Sequence, residues 1–277
     1  MSAMEILFYV LLFLVAFLYA SVGHGGASGY LALMALFSIP VAVMKPTALV
    51  LNLFVSLTSF IQFYRGKHFK WKIFLPFALA SIPMSFVGGL MTIDGMIYKK
   101  ILGLLLLIPV FRFFFFSKTD VTDFKKSNWA LSLFIGGTIG FLSGLIGIGG
   151  GIILSPILLM LKWTDQKQTA AISALFIFVN SIAGLFGQLT QGIQFSANMF
   201  AYVAVAFTGG LAGAYFGALR FKQVILKNIL AAALLVASLK LIFTGEKPKL
   251  KDKTANPSTS LMIFPDKLGY PATTPGV

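Results

Sequence analysis

Apolar runs of bilayer-spanning length constrain this chain more than any other feature. Residues 45–64, 71–92, 97–116, 168–189, 198–219 and 224–244 are each long and apolar enough to cross a membrane as a helix, which takes about 20 such residues. A soluble domain carries roughly 25% charged residues. Here only 11% are charged and the mean hydropathy is +0.91, so a single soluble core is excluded. The pattern predicts an all-α polytopic membrane protein, with the lipid bilayer as its surroundings. Residues 6–22 follow Glu5 rather than a cationic segment, and read as a retained span instead of a cleaved signal.

Two further regions are built differently. Residues 6–22 run into Gly23, His24, Gly25 and Gly26 and then a shorter apolar piece near 29–40. Residues 128–146 run into Gly147, Ile148, Gly149, Gly150 and Gly151 and then a piece near 152–162. Each is an apolar segment, a glycine break and a short second segment. Pro46 and Pro156 read as helix starts, where a missing N–H costs nothing.

The net charge of +14 does not signal nucleic acid, because the bases form short clusters between spans, where the positive-inside effect places them. The cluster of Arg65, Lys67, Lys70 and Lys72 puts loop 65–72 in the cytoplasm. Counting crossings from there, with each broken unit entering and leaving on one side, puts 112–127, 162–167 and 220–227 inside as well. Thirteen bases then face the cytoplasm against three outside, Lys45, Lys99 and Lys100. Arg112 and Lys240 read as snorkelling side chains near helix ends. The multi-pass chain is expected in the cell membrane. One feature opposes this count: Lys247, Lys249, Lys251 and Lys253 follow the last span on the side assigned to the exterior.

The halves share an ordered set of residues. Gly23-x-Gly25-Gly26 matches Gly147-x-Gly149-Gly150 at an offset of 124, and Thr47-Ala48-Leu49 matches Ser173-Ala174-Leu175 at 126. The second offset also pairs Gln62 with Gln188, Gly66 with Gly192 and Phe69 with Phe195. The expected organisation is a first transmembrane repeat over 1–117, a cytoplasmic linker over 118–127, a second repeat over 128–244, and an extended or disordered tail over 245–277. Each repeat holds one broken unit plus three transmembrane helices. An odd number of crossings per half inverts the second half, which predicts two inverted-topology repeats, and matched glycine-interrupted segments then point to the binding site.

The breaks suit an anion. Helices starting near Ala27 and Ile152 turn their free N–H groups and positive dipole ends to the glycines, and such ends bind anions without a cation nearby. None of the eight acidic residues lies inside an apolar span. Proton relays and cation sites in membranes normally use buried carboxylates, so cation transport and a carboxylate proton pump are disfavoured. The candidate substrate-binding residues are Gly23, His24, Gly25, Gly26 and Ser28 at the first break. At the second they are Gly147, Gly149, Gly150, Gly151 and Ser155, joined by Asn52, Ser173 and Asn180 deep in their spans. His24 can contact the anion, carry a proton or bond a carbonyl. Thr58 reads as an internal hydrogen bond, and the Gly88-Gly89 pair as helix packing. With no cysteine and two histidines, no metal and no cofactor is expected, and no catalytic residue is assigned. A small anionic substrate is the expected partner; assembly into a homo-oligomer stays open.

Gly23-His24-Gly25-Gly26-Ala27-Ser28-Gly29-Tyr30 in the first half resembles the TauE/SafE family of sulfite exporters and anion permeases. So do Gly147-Ile148-Gly149-Gly150-Gly151 with Ser155-Pro156 in the second. The resemblance extends over about residues 6–244. It implies a membrane transporter of small anions, sulfur-containing oxyanions or organosulfonates such as sulfite, and leaves the particular anion open. His24 and Ala27 depart from the commoner pattern, as does the missing Pro after Ser28. The residues also admit a passive anion channel. A third reading, an intramembrane hydrolase using Ser21 or Ser28 with His24, lacks the carboxylate that would orient the base.

Overall fold

The computed structural model describes residues 3–21, 26–115, 124–193 and 197–219, with single positions between 232 and 243. Gly23, His24, Gly25, loop 220–227, Lys240, the tail over 245–277 and most of the linker over 118–127 lie outside the described residues, as does the Arg112 side chain. The described residues form helices and no strand. These are α1 (Ala3–Ser21), α2 (Ala27–Leu36), α3 (Val41–Arg65), α4 (Trp71–Leu90), α5 (Gly95–Phe115), α6 (Trp129–Ile146), α7 (Gly151–Met160), α8 (Gln166–Leu189) and α9 (Ala197–Leu219). Among them, α1, α3, α4, α6 and α8 are long and apolar enough to cross a membrane.

Three expectations change. Helix α3 begins four residues early, at Val41 after Pro40, because Pro40 supplies the extended φ of an N-cap. Pro46 therefore lies inside the helix rather than at its start. Pro156 likewise sits inside α7. Lys45, counted above as an external loop base, is buried within α3 at 8% exposure, its ammonium donating to the Met91 carbonyl at 3.4 Å.

In lipid no hydrophobic force draws helices together, so small residues and polar contacts decide the packing. The closest pairing is α4 with α6. Phe77 lies against Gly136, Ser81 against Gly140 and Ser85 against Gly144, so the two helices run parallel with their backbones in contact. Gly88 and Gly89 serve this packing too, against Phe141 of α6 and Gly184 of α8. Helices α1 and α9 pair in the same way, with Phe13 beside Gly209 and Phe17 beside Gly213.

The long helix α8 completes the centre. It runs against α3, since Asn52 meets Ser181 while Leu49 meets Gly184. It runs with α4, where Asn180 Nδ2 donates to Ser81 Oγ at 3.0 Å and Ser85 Oγ donates to the Asn180 carbonyl at 2.8 Å. Helix α9 follows α3, with Phe54 near Phe207 and Val55 near Gly210. Ser238 Oγ donates to the Gly103 carbonyl of α5 at 2.8 Å. Thr58, on an exposed face, bonds its own helix at Phe54, and large apolar side chains such as Phe134 and Phe200 face outward.

Candidate functional site

Helix α6 stops at Gly147, whose φ of 87° puts it in the left-handed region; its N–H still reaches the Ser143 carbonyl at 2.8 Å. Gly149 and Gly150 follow at 72° and 74°. Non-glycine residues enter this region only at a cost of roughly 1–2 kcal/mol each, so the glycine cluster is what lets the chain turn and restart as α7 within a few residues. Gly150 caps α7 without any side-chain hydrogen bond. Its carbonyl takes the Ile153 and Leu154 N–H groups. The first-turn N–H groups before them have no partner inside the helix.

Helices α3 and α8 wall this break. A Cβ on Gly149 would stand 2.7 Å from Asn52 Nδ2 and 3.1 Å from Ser181 Oγ, and the backbone of Lys45 lies against Gly147. Asn52 and Ile177, which also lines Gly149 and Gly151, are both near the middle of their helices. The second break therefore sits at mid-height in the bundle, and part of its wall comes from the first half of the chain. Asn52 Nδ2 donates to Ser181 Oγ at 3.2 Å, while Asn52 Oδ1 has no partner. Ser143 Oγ is likewise buried and unpartnered, with its Cβ 3.5 Å from where a Gly150 Cβ would stand.

Other sequence candidates lie elsewhere. Ser155 Oγ donates to the Gly151 carbonyl at 2.8 Å, so its single proton is used, and Ser173 Oγ donates to it in turn at 2.8 Å. The two hydroxyls clasp α7 to α8. Asn180 faces α4 through Ser81, and its Oδ1 is buried without a partner.

At the first break, Gly26 has φ of 90° and begins α2, again with no side-chain cap. The Tyr19 and Ser28 hydroxyls share a 2.6 Å hydrogen bond. Ser21 Oγ donates to the Leu18 carbonyl. Ser28 thus pairs with a phenol rather than with a base, and His24 lies outside the described residues. Tyr30 is fully buried, and its hydroxyl has no partner.

Sequence reasoning passed over Tyr19, Tyr30, Tyr98, Ser143 and Ser181. Tyr30 had a readable signal: it stands four residues after Gly26, the spacing that stacks side chains along one helix face. Tyr98 had none, since its role depends on a residue 48 positions away. Its hydroxyl donates to the Ile146 carbonyl at 2.8 Å, satisfying one of the last carbonyls of α6 just before the break. Tyr98→Phe should lower the thermal midpoint in detergent by a few degrees, matching the loss of about 1 kcal/mol for one buried hydrogen bond. An unchanged midpoint would show that the contact is idle.

Comparison with known proteins identifies the family. The family described as "Sulfite exporter TauE/SafE" matches residues 8–241. A probable membrane transporter protein, y4hK, of Sinorhizobium fredii is 34% identical over 235 residues, covering 83% of this chain and 95% of that protein. Probable membrane transporter protein YdhB of Bacillus subtilis is 26% identical over 249 residues, covering 86% of this chain and all of its own length. One from Methanocaldococcus jannaschii is 31% identical over 153 residues, 54% of this chain and 57% of its own. No solved structure matches. From residue 8 to residue 241 the chain belongs to the TauE/SafE family of sulfite exporters, as a multi-pass membrane transporter.

Proposed function

We propose that this transporter carries a small oxyanion, sulfur-containing or an organosulfonate such as sulfite, by alternating access between two inverted halves. The observation that carries the reading is the pair of matched helix starts, at Gly26 and Gly150. Both are left-handed glycines, both lack a side-chain cap, and the α2 and α7 residues that follow them are buried. Positive helix ends inside a bundle favour a negative ligand. The eight carboxylates of the chain all lie at termini, in loops or in the tail, so none competes for that position. The sulfur chemistry is suggested by the family name alone.

The helix directions support inverted halves. Exchanging α1–α4 with α6–α9 maps the α4–α6 pairing onto α9–α1, the α4–α8 pairing onto α9–α3, and α3–α8 onto itself. Followed from pair to pair, α1, α3 and α9 run one way, and α4, α6 and α8 the other. Helices α1, α3 and α4 thus oppose their counterparts α6, α8 and α9, as secondary carriers with inverted repeats require. The halves are taken as 1–117 and 128–244, with loops 65–72, 112–127 and 220–227 in the cytoplasm. The binding residues are those of the two breaks with Asn52. Ser155, Ser173 and Asn180 support the pocket from behind.

Counterflow tests this. Proteoliposomes preloaded with sulfite should take up labelled sulfite saturably, and sulfoacetate or thiosulfate should compete better than lactate. Flux without saturation or counterflow would favour a passive channel. No flux of any of these anions through folded protein would overturn the reading.

A further inference from the structure

Tyr30 stands apart among the buried polar groups because its position, and not only its isolation, is defined. Side chains on a helix lean toward its N-terminus, so the phenol of Tyr30, in the second turn of α2, folds back over the glycine that begins the helix. A Cβ at Gly26 would stand 2.7 Å from the Tyr30 hydroxyl oxygen and 2.7 Å from its ring. Gly26 therefore does two things: it takes the left-handed φ, and it leaves space for the phenol. Yet the hydroxyl so placed bonds to nothing, in a residue with 0% exposure. A buried hydroxyl without a partner costs free energy in any folded protein. Its nearest hydroxyls bond to each other, Ser28 to Tyr19 at 2.6 Å. The phenol is thus a free side-chain donor aimed at the α2 N-terminus.

We propose that the Tyr30 hydroxyl donates a hydrogen bond to an oxygen of the transported oxyanion, bound at the N-terminus of α2, and that Tyr19 positions Ser28 beside it. This rests on the anion reading above and extends it by assigning a donor at the first break. A neutral phenol donates to a negative oxygen without introducing a counter-charge. Affinity for the oxyanion then comes from the donor and the helix end together, and release on either side breaks no ion pair.

The chemistry makes an unusual prediction. Tyr30→Phe removes an unpartnered polar atom and nothing else, so the unliganded protein in detergent should melt at or above the wild-type temperature. The same change should raise the half-saturating concentration of sulfite or sulfoacetate by about tenfold or more, as expected for a hydrogen bond to a charged group. Thermal shift against increasing sodium sulfite or sodium sulfoacetate, at ionic strength matched with sodium chloride, reads both effects without transport. Tyr19→Phe is the comparison: it breaks the bond to Ser28 and should lower the unliganded midpoint.

Wild-type affinity in Tyr30→Phe would overturn the assignment while leaving the anion reading intact. A clear loss of unliganded stability, or failure to fold, would show that the hydroxyl is structural and would also overturn it. Absence of any oxyanion-dependent shift in the wild type, together with absent counterflow, would remove the anion reading and this proposal with it.

Discussion

Gly144→Val should leave almost no folded protein in the membrane. A Cβ at this position would fall on the Ser85 carbonyl oxygen and within 2.7 Å of the Gly89 amide nitrogen. These are backbone atoms of α4, which cannot rotate away as a side-chain tip can. Relief requires α4 and α6 to separate along their whole contact, including Gly136 against Phe77 and Gly140 against Ser81. Separation also threatens α8, since Ser81 and Ser85 hold Asn180. The cost should exceed the roughly 1–3 kcal/mol of ordinary overpacking. Gly137→Ala, on the same helix, is the control. Its Cβ would meet only Met84 and Ala80 side chains, at 3.7 and 3.8 Å, and alanine is favoured over glycine in a helix by about 1 kcal/mol. Folded yield by size-exclusion chromatography should fall to near zero for Gly144→Val and match or exceed wild type for Gly137→Ala. Normal yield of Gly144→Val would show that the α4–α6 seam is looser than described.

Gly149→Ala should abolish transport in protein that still reaches the membrane. Two effects add. Alanine at φ of 72° costs roughly 1–2 kcal/mol in backbone strain, and its methyl would stand 2.7 Å from Asn52 Nδ2 and 2.8 Å from an Ile177 methyl. The amide of Asn52 must then move, and with it the wall of the second break. Gly192→Ala separates the two effects. Gly192 has nearly the same φ, 75°, with nothing within 4 Å of its Cβ position. It should lose a few degrees of thermal stability and keep its transport rate. Gly149→Ala should lose at least tenfold in rate in the counterflow assay. Equal behaviour of the two variants would mean that strain alone matters and that Asn52 has no part in the site.

The elements of this fold were legible because they depend on local composition. Each apolar run that the described residues cover became a helix, and the second glycine cluster became a break, since left-handed backbone favours glycine and a helix cannot pass through it. The ends of helices were less legible. Lys45 looked like the edge of a loop, yet α3 extends past it to Val41, and the charge is accommodated by the Met91 carbonyl at the C-terminus of α4, where a cation is favoured. Ser155 looked like a ligand donor because it follows the break, and Ser173 because it lies deep in its span. The Ser155 proton goes instead to the Gly151 carbonyl and the Ser173 proton to Ser155, a pairing that no spacing in the sequence announces.

What the sequence determined by itself is therefore the membrane class, the succession of helices, the two breaks and the family. All of these follow from runs of neighbouring residues. What only the tertiary structure decided is which side chains stand at the breaks. A soluble helix marks its buried face with an apolar stripe. A helix in lipid can be apolar all round, so its rotation is set by small residues and a few polar contacts that are distant in the chain. Asn52 reaches the second break beside Ser181, 129 residues away, and Tyr98 steadies α6 from another helix. Tyr30 lies near enough to Gly26 for the sequence to place its ring. Only the packing around it shows that its hydroxyl is left without a partner.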